Sequence, residues 1–148
     1  MREGISWMTW DFSSFVISNQ AVISSEVRKQ PWEGTWTPVI SGLTLGVNSG
    51  RYTKIGRVVT AQFNFNSSAT TDSAPAQVTG FPFSADLTTT AGRSGGYLSY
   101  SDNPTDYKLL FRSTSTTLEF RQTGSGSIAT ITGISGRQYF GTIIYTTA

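Results

Sequence analysis

The acidic side chains after residue 30 are the groups with which this sequence could carry out catalysis. A glycosidase needs two carboxyl groups roughly 5–10 Å apart, one of them with a raised pKa. Asp102 and Asp106 flank Asn103-Pro104, where an aspartate typically accepts hydrogen bonds within a turn, and Glu119 is two residues from Arg121 on one strand face, which predicts a surface ion pair. The candidate acids are Glu33, Asp72, Asp86, Asp102, Asp106 and Glu119. Since no pair of them is marked out for catalysis, the sequence predicts no enzyme.

The residue types that are missing exclude most other catalytic machinery. The chain has no histidine and no cysteine, so it cannot form a zinc site of the usual ligands, an iron–sulfur cluster, a Ser–His–Asp triad or a disulfide. A calcium ion between Asp102 and Asp106 would need more oxygen ligands than this segment offers. We therefore expect neither a metal nor another cofactor.

Three tyrosines that lie close together in the sequence are the candidate ligand-binding residues. They are Tyr97, Tyr100 and Tyr107. Aromatic rings with polar neighbours can form a platform for a glycan, but tyrosines at strand positions also pack in cores and at their rims. Core or rim packing is the more common of the two, so the glycan platform is the second interpretation.

Charge is scarce in this chain. Charged residues make up 14% of the sequence, whereas about 25% is the average for soluble proteins. Eleven Lys and Arg against nine Asp and Glu give too small a surplus for a nucleic-acid footprint, so no nucleic-acid partner is predicted. Arg51, Lys54 and Arg57 form a small basic cluster at a bend, for which solvation is favoured over binding of a phosphate or a glycan.

Polarity comes instead from hydroxyl groups, and this composition indicates strands. Twenty serines, twenty-two threonines and fifteen glycines favour sheets and tight turns over helices, and 148 residues suffice for one domain. In residues 57–66, Val59, Ala61, Phe63 and Phe65 alternate with polar residues, as in a half-buried strand. The sequence predicts an all-β fold, an antiparallel β-sandwich of jelly-roll type. The other predicted strands are Thr35–Ile40, Gly50–Ile55, Gln77–Phe83, Tyr97–Ser101, Tyr107–Ser113, Thr117–Gln122, Ile128–Ile134 and Gln138–Thr146.

The first part of the chain differs from the rest. The composition changes near Gln30-Pro31, which predicts an N-terminal anchoring arm over residues 1–33 and a β-sandwich domain over residues 34–148. Large aromatic side chains need a buried site, which either the chain's own core or a partner subunit could supply. We favour the partner slightly, because exposed apolar segments at chain ends are rarely ordered alone, and an extended or a helical arm fits equally well. The predicted partner-anchoring residues are Trp7, Trp10, Phe12, Phe15, Trp32 and Trp36.

Two motifs of the second region resemble a known protein module. Gly34-Thr35-Trp36-Thr37-Pro38 and Tyr52-Thr53-Lys54-Ile55-Gly56, with Gly141–Thr146 as a closing strand, are similar to a β-module of bacteriophage virion proteins of the tail-fibre and capsid-decoration type. The resemblance covers most of residues 34–148, and its specific part is residues 34–60. The matching residues suit structural roles, since Gly56 can supply a positive φ between two strands. The resemblance implies a homotrimer in a virion.

The resemblance and the arm together predict a function without catalysis. We expect a trimeric capsid cement or decoration protein, held by its arm on the major capsid protein or other virion subunits. The alternative is a short tail fibre or tail-tip protein that binds a host surface glycan. The sequence contains neither a signal peptide nor a membrane span, which disfavours a free carbohydrate-binding module. It predicts a protein made in the host cytoplasm that resides on the outer surface of the particle, with no membrane partner.

Overall fold

The computed structural model of the protein describes residues 32–88 and 94–147, which belong to one compact unit. All pairings between strands are antiparallel, and the strands form one sheet in the order β1-β3-β4-β9-β6-β7-β8-β5-β2. The prediction of an all-β antiparallel fold is confirmed. The strands are β1 (Trp32–Trp36), β2 (Val39–Ile40), β3 (Leu45–Ile55), β4 (Val58–Ser67), β5 (Gln77–Thr79), β6 (Gly95–Ser101), β7 (Tyr107–Thr114), β8 (Thr117–Gln122) and β9 (Gln138–Thr146).

The sheet curls so that its inner face encloses the core. Phe65 on β4 and Phe120 on β8 are fully buried, and their ring centroids lie 6.2 Å apart. Three strands separate β4 from β8 in the sheet, which in a flat sheet would hold the two strands about 19 Å apart. The facing layers expected of a sandwich are therefore parts of one continuous curled sheet.

The central pair of strands follows the predicted alternation. Val59, Ala61, Phe63 and Phe65 on β4 are all buried. On the neighbouring β9, Gly141 leaves room for the Phe63 ring, because a Cβ atom at Gly141 would lie 2.4 Å from Cζ of that ring. The β3–β4 hairpin turns at residue 56, where φ is +58°, so the predicted role of the glycine there is confirmed.

One predicted strand is wrong. Residues 128–134 form two isolated bridges, at Ile128 and Thr130, followed by a short helix, α1 (Ile131–Ile134). The hydroxyl of Thr130 accepts a hydrogen bond from the amide of Gly133 and caps the helix. Ile131 and Ile134, which the sequence analysis placed in a strand, are buried one helical turn apart, where positions i and i+3 share a face.

Two other predicted strands are shorter than expected. Residues 35–40 are interrupted by Thr37-Pro38, which separates β1 from β2, in line with the poor fit of proline to a strand interior. Strand β5 ends at Thr79 because Gly80 has φ +88°. A Cβ atom at Gly80 would also lie 2.4 Å from the Thr37 carbonyl oxygen, so this crossing needs glycine.

Two residues that the sequence analysis assigned to the arm belong to the sheet. Trp32 and Glu33 are strand residues, paired with Lys54 and Thr53 of β3. The remainder of the predicted arm, and with it the choice between helix and extended chain, lies outside the described residues. Within residues 32–88 and 94–147, no helix has the length and apolar character needed to cross a bilayer.

Candidate functional site

The predicted anchoring aromatics divide between the core and the surface. Trp36 is buried, stacks on Phe81 with a centroid distance of 4.5 Å and donates from Nε1 to the Gln62 carbonyl oxygen at 3.1 Å. It belongs to the core of its own domain, which corrects its assignment as a partner anchor. Trp32, by contrast, is 62% exposed at the rim, with the Lys54 ammonium 5.7 Å from its ring centroid. The other predicted anchors, Trp7, Trp10, Phe12 and Phe15, lie outside the described residues.

Two cations of the β3–β4 hairpin cluster make separate contacts within the domain. The Arg57 guanidinium pairs with the Asp86 carboxylate at 2.6 Å. Lys54 donates to the Gly56 carbonyl oxygen at 2.6 Å, and Arg51 on β3 is exposed. Arg57 and Lys54 therefore each have a partner within the domain.

Two of the candidate acids accept hydrogen bonds from backbone amides. The Asp102 carboxylate accepts a hydrogen bond from the amide of Gln138 at 2.9 Å. Asp86 accepts from the hydroxyl and the amide of Thr88, and these hydrogen bonds, followed by the charge of Arg57, hold the pKa of Asp86 below its usual value. Asp86 thus stabilises a local turn, whereas Asp102 joins the end of β6 to the start of β9, 36 positions along the chain, rather than acting within the turn predicted for it.

The acid on β8 has a different environment from the one predicted. Arg121 donates from Nε to the Glu119 carboxylate at 2.6 Å, so the predicted ion pair is confirmed. Its predicted surface location is wrong, since the Glu119 side chain is only 1% exposed and that of Arg121 only 14%. The ion pair therefore lies in the body of the sheet rather than in solvent.

The three candidate tyrosines line one cleft but do not form one platform. Tyr97 and Tyr100 on β6 are 59% and 49% exposed. Tyr107 on β7 is buried, and its hydroxyl donates to the Gly133 carbonyl oxygen at 3.1 Å. We call the space between β6 and β7, about 440 Å³, the tyrosine cleft. Only two of the three rings are available there to a ligand, because Tyr107 packs into the core.

A second surface feature, which we call the outer face, spans β1, β3, β4, β9 and β6. Pairing register lines up its side chains in rows across the strands, and a groove of about 590 Å³ runs over part of it. Hydroxyl and amide groups dominate, and the charged residues in the rows are Glu33 and Arg51. The rows are Thr35-Arg51-Gln62-Thr142-Tyr97, Ser49-Asn64-Phe140-Tyr100, Glu33-Thr53-Thr60-Ile144-Gly95 and Ile55-Val58-Thr146.

Exposed apolar side chains lie together at the hairpin end of the outer face. Ile55, Val58 and Ile144 are 63%, 44% and 53% exposed. Ile55 pairs directly with Val58, and Ile144 pairs with Thr60, two residues along β4 from Val58. The sequence analysis missed this patch. Alternation along β4 and β9 could have placed each residue outward, but the pairing register brings them together.

Comparisons of the chain with protein-family models, with curated proteins and with solved structures find no match. The functional argument therefore depends on the geometry of the outer face and the tyrosine cleft.

Proposed function

We propose that this chain is a non-enzymatic structural protein of a bacteriophage virion, a trimeric decoration protein on the outer surface of the capsid. The observation that carries the proposal is the outer face, where Ile55, Val58 and Ile144 are exposed among neutral hydroxyl and amide groups. Contiguous exposed apolar groups commonly mark a surface that another protein covers.

The composition of the outer face suits contact between subunits. Burying an unpaired ion is costly, whereas hydroxyl and amide groups can exchange hydrogen bonds with water for hydrogen bonds across an interface. The two charged residues of the rows, Glu33 and Arg51, lie on β1 and β3 at one side of the face, away from Ile144 on β9. A neighbouring subunit that approaches from the β9 side can therefore cover Ile144 and Val58 while Glu33 and Arg51 stay at the opposite side of the face.

Attachment to the capsid is assigned to the arm. Its aromatic residues would bury their rings between coat subunits, and the three arms of one trimer raise the effective concentration of each arm at the lattice. Binding only the assembled lattice stabilises that lattice by mass action. The mechanism needs no catalytic group, in keeping with the structural roles of Asp86, Asp102 and Glu119.

Oligomeric state tests the role of the outer face. Native mass spectrometry at micromolar concentration should return a trimer for the wild-type chain. Ile144→Lys places a charge in the apolar patch and should shift the protein towards monomer. Val39→Lys is the matched control, because Val39 is 49% exposed on β2, at the other end of the sheet order. A wild-type monomer, or a trimer unaffected by Ile144→Lys, would contradict the proposal.

Capsid binding tests the role of the arm. Deletion of residues 1–30 should leave the β domain folded, as judged by circular dichroism, but abolish co-sedimentation with capsids of the phage that encodes the chain. Truncated protein that still sediments with capsids would refute the anchoring function of the arm.

A further inference from the structure

The sheet contains a split between β6 and β7. Strand β6 pairs with β9 from Gly95 to Ser101, but it pairs with β7 only at Gly95 and Gly96. Beyond Gly96 the ladder between the two strands stops, although β6 continues and β7 begins at Tyr107. The tyrosine cleft is the space that this divergence opens.

The divergence leaves main-chain groups of β6 without ladder partners on the β7 side. An unpaired strand edge is a template for a further strand, since its N–H and C=O groups point into the open space. The cleft is flanked by such an edge over residues 97–101. Strand addition gives a bound peptide its affinity through main-chain hydrogen bonds, and pockets for alternate side chains give it specificity.

The charged side chain of the cleft is a carboxylate. The Asp106 carboxylate lines the cleft, is exposed and has no hydrogen-bond or salt-bridge partner among the described residues. None of the described residues that line the cleft is a lysine or an arginine. Tyr97 and Tyr100 add two exposed rings, and a cation within about 6 Å of a tyrosine ring is attracted to its face.

We propose that the tyrosine cleft binds an extended peptide segment of a partner protein by strand addition to β6, with a lysine or arginine of that segment placed between Asp106 and the rings of Tyr97 and Tyr100. Such a segment satisfies the strand edge and the free carboxylate together. A neutral saccharide could stack on the rings but would leave the carboxylate without a counter-charge.

The test uses the full chain and a fluorescein-labelled heptapeptide probe, Thr-Val-Thr-Lys-Thr-Val-Thr, with its ends acetylated and amidated. Fluorescence anisotropy should show saturable binding. Replacing the central lysine of the probe with glutamate should weaken binding at least about tenfold, which corresponds to about 1.4 kcal/mol. Methylation of alternate backbone nitrogens in the probe should abolish binding, because it removes the donors that strand pairing requires.

Variants of the protein locate the site. Asp106→Asn should weaken binding of the lysine probe about tenfold without weakening binding of the glutamate probe. Tyr97→Ala should also weaken binding of the lysine probe. Glu33→Gln, which removes an acid on β1, is the matched control and should change nothing. Because Tyr97 and Asp106 are exposed, circular dichroism should confirm that their variants fold.

Three outcomes would overturn the proposal. The first is no binding of any peptide probe at millimolar concentration. The second is binding that Asp106→Asn and Tyr97→Ala leave unchanged, which would place the peptide elsewhere. The third is binding of maltoheptaose, a neutral oligosaccharide, that Tyr97→Ala removes while the peptides do not bind, which would make the cleft a saccharide site.

Discussion

Replacing Phe65 with alanine should lower the free energy of unfolding, because Phe65 lies where the curled sheet closes over its core. The Phe65 ring is fully buried, and its centroid lies 5.6 Å from that of Phe63, 5.3 Å from Tyr139 and 6.2 Å from Phe120. Removing a buried phenylalanine ring costs about 3–5 kcal/mol, from lost burial and the cavity left behind. That is a large part of the roughly 5–15 kcal/mol that stabilises a typical domain.

The assay is urea denaturation followed by circular dichroism, with calorimetry in parallel. At this chain length about 1 kcal/mol corresponds to several degrees, so the Tm of Phe65→Ala should fall by roughly 10–20 °C. Protein concentration is held constant, because subunit association adds to apparent stability. Gln62→Ala on the exposed side of the same strand should stay within about 0.5 kcal/mol of wild type. A loss below about 1 kcal/mol for Phe65→Ala would refute the described closure of the sheet.

Three further predictions concern the stability of the domain. Arg121→Met removes the hydrogen-bonded arginine of the buried Glu119 carboxylate and should lower the free energy of unfolding in urea denaturation, whereas the double variant with Glu119→Gln should recover part of this loss. Gly141→Ala should lower the Tm measured by calorimetry, since the added methyl group meets the Phe63 ring; an unchanged Tm would argue against this packing. Burial raises the pKa of Tyr145 to about 12, above the value of about 10 in unfolded chains. The Tyr145 hydroxyl therefore loses its proton at lower pH in the unfolded state than in the folded state. The free energy of unfolding should fall as pH rises from about 10 to 12. Over this pH range, the urea midpoint of Tyr145→Phe should fall less than that of the wild type.

Local pattern was sufficient for some elements and misleading for others. Alternation over residues 57–66 identified β4 and its inward face, because a strand's side chains alternate whatever its partners are. The same reasoning failed for residues 128–134, where apolar residues fit a strand or a helical turn. In the structure the Thr130 hydroxyl caps a helical turn, which favours the helix over the strand. Trp36 shows the same limit, since its type indicated burial but not whether its own core or a partner would bury it.

The sequence by itself determined the fold class and the turn at Gly56, because these depend on backbone preferences set by local pattern. Only the tertiary structure decided that Ile55, Val58 and Ile144 share one patch and that β6 and β7 diverge beyond Gly96. The physical reason is that a surface on a sheet is assembled across strands. Its members become neighbours through the pairing register of segments far apart in the chain, which no local pattern specifies.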